Sequence, residues 1–361
     1  LDDALNLRCY RQKERFGFDF LYPVRRYAYG LTQKAFKPQP YCDNGNDPRC
    51  NEWDGLAFPT GVTNGDLNPV FCTEYEKNQD GTDNRKVCKA VLRDPKLVFL
   101  AGIVGVPWQD IAKNPNDLTE GYRPAEELSW TTTNYDNYNK AKPEGTAEKK
   151  PANGVTDKVT IWHHIVGEVD MNPTLNDANG APHYNSNFLQ PDQKKSGMAV
   201  DPLMVESVDP RSGTNPATGA ALADMSAGTP TANPVNGHEW DIQQRNDLQY
   251  ACVFKLPKEK DCSANAVSCD CSEADGLNNP LCQAESGSYG KIQYRAKAYP
   301  GRRQLATLRG VEALSQGQAI AASICPSNTD DTAADDYGYR PAIGAIIDRL
   351  RAVLAGTCWG E

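Results

Sequence analysis

One long apolar run interrupts an otherwise polar chain: Leu97 to Val106, Leu-Val-Phe-Leu-Ala-Gly-Ile-Val-Gly-Val. Ten residues cannot cross a bilayer, which takes roughly 20 in a helix. Branched and aromatic side chains between polar flanks predict a strand buried on both faces. Pro107-Trp108 ends it, and Gln109 to Lys113 opens a short helix.

Periodicity places the other elements. Phe16 to Leu21 alternates loosely and reads as a short strand. Pro23 suits a helix start, and Val24, Tyr27, Leu31 and Ala35 follow at helical spacing. Val155 to Val169 reads as a strand, with Val159, Ile161, His163, Ile165 and Gly167 on one face. Near the C-terminus, Ile292 to Ala298 is strand-like. Pro300 to Leu314 is a helix with Leu305, Leu308, Val311 and Leu314 on its apolar side, and Gln318 to Cys325 is a second buried strand. Pro341 opens the last helix, Ile343, Ile346, Ile347, Leu350 and Leu354 form one stripe, and Gly356 stops it.

These elements divide the chain into three parts. Residues 1–113 and 291–361 form an α/β core carrying disulfide loops in 37–91. Residues 114–251 are a long polar insertion with some strands, including a solvated linker at Asn139 to Lys150 and a Gly-, Pro-, Ala-rich stretch at 209–238. Residues 252–290 form a cysteine-rich loop module.

Composition sets the compartment. The 361 residues include 12 cysteines, most in polar, turn-rich surroundings. An even count in such surroundings reads as disulfides in an exported protein, outside the cell, at its surface or in the periplasm. All twelve are disulfide candidates: Cys9, Cys42, Cys50, Cys72, Cys88, Cys252, Cys262, Cys269, Cys271, Cys282, Cys325 and Cys358. Cys42 with Cys50, and Cys72 with Cys88, bracket short polar loops and are expected to pair locally, each bridge contributing ~2–4 kcal/mol. Cys358 is expected to staple the tail. The chain starts at Leu1 without Met, as expected of a processed or partial chain. Gly and Pro together number 54 (29 and 25), so turns and irregular connections are frequent. The net charge of −9 gives no basic face for nucleic acid, and no stretch reads as a transmembrane segment.

Three sets of residues together carry a family resemblance. They are Leu7-Arg8-Cys9 with Arg15 to Pro23 (Arg-Phe-Gly-Phe-Asp-Phe-Leu-Tyr-Pro), then Leu97 to Pro107, then the cysteines of 252–282 with Tyr339-Arg340-Pro341-Ala342. The chain resembles uncharacterised exported bacterial proteins, often lipoproteins, whose corresponding segment looks like the later part of a von Willebrand factor A-like domain with large insertions. The resemblance implies a partial doubly wound sheet. Domains of that family bind a divalent ion through Asp-x-Ser-x-Ser, which is absent from this sequence, so no residue inherits that chemistry.

Candidate chemistry is sparse. Asp43, Asn44 and Asp47, then Asn78, Asp80 and Asp83, and also Asp330 to Asp336, resemble fragments of calcium loops. The same residue types are the standard turn formers. Calcium is the candidate cofactor. His163 and His164, with Glu168 and Asp170, form the densest set of transition-metal ligands, although neighbours on a strand face opposite sides. The Cys262–Cys282 spacing lacks paired zinc knuckles, and Cys269-Asp270-Cys271 suits bridges to two different partners. No Cys-x-x-Cys-His, P-loop, Gly-x-Gly-x-x-Gly or Gly-x-Ser-x-Gly occurs, which argues against haem, nucleotide and serine-hydrolase chemistry. The expectation is a non-catalytic secreted or cell-surface protein for structure, adhesion or assembly, with other protein chains as partners in a homo-oligomer or envelope complex. Two alternatives stand beside it: a metal-dependent extracellular enzyme, and an accessory subunit of a larger envelope complex.

Overall fold

The computed structural model describes residues 5, 8–16, 21, 24–36, 66–150, 155, 157, 160–166, 250–263, 269–272, 280–282, 284–286, 288–315 and 317–358. The first helix, α1, spans Arg8–Phe16, so Phe16 closes a helix and does not begin a strand. Helix α2 (Val24–Thr32) buries Val24 and Ala28. Its C-terminal carbonyls are satisfied from a distance. The Asn68 amide donates to Gly30 O at 2.7 Å and to Gln33 O at 2.8 Å, serving groups that helix ends leave without intrahelical partners. Strands β1 (Ala35–Phe36) and β2 (Asp66–Leu67) pair beside this cap. A hairpin of β3 (Tyr75–Lys77) and β4 (Asp83–Cys88) follows, with the expected Cys72–Cys88 bridge at its base.

The apolar run forms β5 (Leu100–Val104). It pairs in parallel with β10 (Ala319–Ser323), Leu100 opposite Ala319 and Val104 opposite Ser323. Helix α6 (Arg302–Ser315) leads into β10 and packs on both strands, and α2 covers α6 from outside. Burial differs from the sequence expectation. Strand β5 is only half-buried, whereas all five residues of β10 are buried. The small side chains of β10 let α6, α3 (Trp108–Ile111) and α7 (Arg340–Cys358) close over it. Among the described residues, β5 has a strand on one edge only.

Two glycines set how closely α6 approaches. A Cβ on Gly105 would lie 1.7 Å from the Tyr299 carbonyl oxygen, and the Gly301 N–H donates to Gly105 O at 2.7 Å. Only backbones free of side chains meet at that separation.

Residues expected to be a polar insertion supply much of the core. After β6 (Ala112–Asn114) and β7 (Asp117–Tyr122) come α4 (Thr132–Lys140) and α5 (Ile161–Val166). Leu118, Tyr122, Leu128, Tyr135, Ile161, Trp162 and Ile165 join Trp108, Ile111, Leu305, Leu308 and Val311 in one cluster. The 155–169 stretch is therefore not a strand where it is described. Ile161, Trp162, Ile165 and Val166 are all buried, a helical stripe that the alternation of the odd-numbered positions conceals.

Strand β8 (Cys252–Asp261) pairs antiparallel with β9 (Ile292–Ala298). Cys262–Cys269 and Cys271–Cys282 close the short loops expected of the cysteine module. Cys252 instead reaches out to Cys325, just beyond β10. Cys9 is exposed and makes no bridge among the described residues. Cys42, Cys50 and the Cys358 side chain lie outside them.

Candidate functional site

The acidic loops are held by their own donors. In the β3–β4 turn, Gly81 takes φ +85° and Asp80 accepts from the Thr82 N–H at 2.9 Å and the Thr82 hydroxyl at 2.6 Å. These bonds hold the Asp80 carboxyl below its ordinary range. Asp83 pairs with Lys77 at 2.6 Å, and the Asn78 amide donates to the Thr82 hydroxyl. In the later loop, Asp336 accepts from Ser327 and Asn328, while Asp330 pairs with Lys255 at 2.9 Å. Asp43, Asn44 and Asp47 lie outside the described residues. Among the described residues, no three His, Cys, Asp or Glu side chains converge as a metal site.

His163 is buried on α5, and both ring nitrogens are engaged. The Thr160 hydroxyl is 2.9 Å from Nδ1, and Arg309 Nη2 is 2.9 Å from Nε2. A guanidinium only donates, so Nε2 accepts, and the Thr160 N–H also donates to Nδ1 at 3.0 Å. The side chain of His164 is outside the described residues. Burial, with the Arg309 charge, lowers the His163 pKa to about 3. Its folded value lies below its unfolded value of 6.5. The resulting stability is therefore present above pH 6.5 and is lost as pH falls toward 3. At about 1.4 kcal/mol per unit, the fold is expected to lose about 3 kcal/mol from this group between pH 7 and pH 4. Urea unfolding at the two pH values checks this. His163→Gln should lose that component of the difference, and an unchanged difference would refute the assignment.

A second polar centre went unanticipated. Arg123, at the end of β7, has a fully buried side chain. Its Nη1 is 3.4 Å from Glu127 and 3.9 Å from Glu148, and its Nη2 donates to the Lys113 and Lys149 carbonyls. Lys142 pairs with Glu148 at 2.7 Å, and the Tyr138 hydroxyl donates to it at 3.3 Å. Trp130 lies edge-on to Tyr135 and Tyr138, with ring centroids 5.3 and 4.9 Å away. Burial, and then the Glu148 charge, raise the Glu127 carboxyl to about 7. Burial works against the Glu148 charge too, but the Lys142 hydrogen bond and charge prevail and its pKa falls. The available sequence signal was the four-residue spacing of Arg123 and Glu127. Glu148 sits in the stretch expected to be a solvated linker.

The third centre fastens the cysteine module to the hairpin. Asp270, between Cys269 and Cys271, accepts from Lys297 of β9 at 2.8 Å. Lys297 also lies 4.8 Å over the Tyr250 ring and 5.4 Å over the Tyr299 ring. Burial opposes its charge, but Tyr250 and the Asp270 bond outweigh that and raise its pKa. The two flanking bridges thus leave in opposite directions from a residue pinned by an ion pair, as Cys-x-Cys spacing anticipates. No family model, curated protein or solved structure matches the chain.

Proposed function

We propose that this chain is a non-catalytic exported protein that works by assembling with other protein chains. The observation that carries the reading is the face of α7. Within its apolar stripe, Ile343, Ile347 and Leu350 are 48 %, 41 % and 40 % exposed. The helix rests on β7 and β10, burying Ala342 at its start. Aliphatic side chains spaced i, i+4 and i+7 on an open helix face are the kind of surface that a partner covers.

Two further features support the reading. Four disulfides among the described residues fit an extracellular setting, and no described helix is long and apolar enough to cross a membrane. The parallel β5–β10 pair with α6 leading into β10 supports the von Willebrand A-like order of elements. The metal-enzyme alternative gains little, because Thr160 and Arg309 already engage His163.

Light scattering on the size-fractionated protein tests the proposal. A mass above 39.6 kDa is expected, falling to that of the monomer in Ile343→Lys/Ile347→Lys. A monomer at every concentration would overturn self-assembly. An assembly indifferent to the two lysines would overturn the assignment to α7.

A further inference from the structure

Glu148 and Glu127 present a hydrogen-bonding problem that a proton solves. Glu148 Oε1 accepts from Lys142 and Tyr138, but its buried Oε2 has no hydrogen-bond donor among the described residues. Arg123 Nη1 lies 3.9 Å from that oxygen and closer to Glu127. The two carboxyl groups converge on the same guanidinium nitrogen, Arg123 Nη1. A protonated Glu127 donates to Glu148 and leaves one carboxylate for one buried guanidinium. An ionised Glu127 places two carboxylates on that guanidinium and leaves the Glu148 oxygen without a donor.

The same residues hold a loop in place. Residues 141–149 return to α4 through Glu148, whose N–H donates to Asn139 Oδ1 at 2.8 Å and whose carbonyl accepts from Asn139 Nδ2 at 3.0 Å. Arg123 takes the Lys149 carbonyl. Beneath the loop lie Trp130, Tyr135 and Tyr138, with Lys142 Nζ 4.4 Å over the Tyr138 ring. We infer that Glu127 and Glu148 form a proton-operated latch, in which one proton shared between the two carboxyl groups holds the 141–149 loop over α4 and its loss lets the loop lift.

Every charge around Glu127 bears on the sign. Arg123 from β7 and Lys113 from β6 favour its ionised form, and Glu148 from the loop disfavours it. From α4, Tyr135 and Tyr138 supply neutral hydroxyls, donating to the Glu127 carbonyl and the Glu148 carboxylate. Among its described side chains, helix α5 adds the Trp162 N–H, bonded to Ala125 O. Burial and the second carboxylate prevail, so the closed loop keeps the proton up to about pH 7. Once the loop lifts and water reaches Glu127, the group ionises from its ordinary 4.5 upward. The closed state therefore holds more protons than the open one across that window. Opening grows as pH rises through it, by up to tenfold per unit, and levels off above 7.

Amide hydrogen exchange on the full chain, corrected for the intrinsic pH dependence of exchange, reads this directly. Protection across 141–149 is expected to fall by up to tenfold per unit between pH 5 and 7 and then flatten. Glu127→Gln keeps a donor for Glu148 but cannot ionise. It is expected to abolish the slope and to leave protection at pH 7.5 at least tenfold above wild type. The His163 effect runs the other way, so β10 amides should not lose protection over this range. A flat wild-type profile across 141–149, or the same slope in Glu127→Gln, would overturn the latch.

Discussion

Replacing Cys252 and Cys325 together by alanine is expected to cost about 4 kcal/mol, the most of the three bridges after residue 250. The bond joins residues 73 apart, whereas Cys271–Cys282 spans 11 and Cys262–Cys269 spans 7. In the chain-entropy account, a cross-link destabilises the unfolded state more as its loop lengthens, giving about 4, 3 and 2 kcal/mol respectively. Position adds to length. Cys252 and Cys325 are buried with Ala251 and Ala298 in a cluster of their own. Their bond ties the first residue of β8 to the segment just beyond β10, while the Ala251 N–H bonds Ala298 O beside it. The ion pair of Asp270 and Lys297 holds only the module to the hairpin, not the hairpin to the core. Urea unfolding of the three double-alanine variants gives the ranking. Equal losses from all three would refute the loop-length argument, and a loss near zero at Cys252–Cys325 would remove its structural role.

How much of this was legible follows from which signals are local. Helix α6 and strand β10 announce themselves because their apolar residues recur at the spacing of the element that buries them. The Cys72–Cys88 bridge was legible from its loop bracket, whereas in the module the spacing suggests short tied loops without saying which cysteines pair. Cys252–Cys325 was not legible, because its partners lie on either side of α6. Strand β8 was hidden by Lys255, Pro257, Lys258 and Lys260. Its pairing with β9 shifts register between Lys255 and Lys260, around a proline that has no N–H to give a ladder. The stripe on α7 is visible as a stripe, but periodicity does not say whether a helix turns it toward the core or toward a partner. The loops at Asn78 to Asp83 show the same ambiguity in another form, since Asp, Asn and Gly serve a tight turn as well as a cation. The centre at Arg123 was least legible of all. Its members are spread from Lys113 to Lys149, and nothing in a polar run marks which of its charges will be buried.

Trp162→Ala is expected to cost ~3–5 kcal/mol, the range for emptying a fully buried aromatic site. The side chain is 1 % exposed, and its indole N–H donates to Ala125 O at 3.2 Å. Truncation would leave that carbonyl without its donor as well as leaving a void. The measurement discriminates between two organisations of the chain. If residues 114–166 were a polar insertion beside an independent core, a change at Trp162 would unfold its own surroundings and leave β5, β10 and α6 protected. The structure places Trp162 in one cluster with Leu305, Leu308 and Val311 of α6, and the Arg302 guanidinium donates to Val166 O at 2.9 Å. The transition should therefore shift as a whole, with amides in β10 losing protection along with those of α5. Protection lost only around α5, with β10 unchanged, would restore the insertion view. A loss common to both would establish that the segment between β7 and α5 is part of the body on which α7 and the Arg123 centre are built.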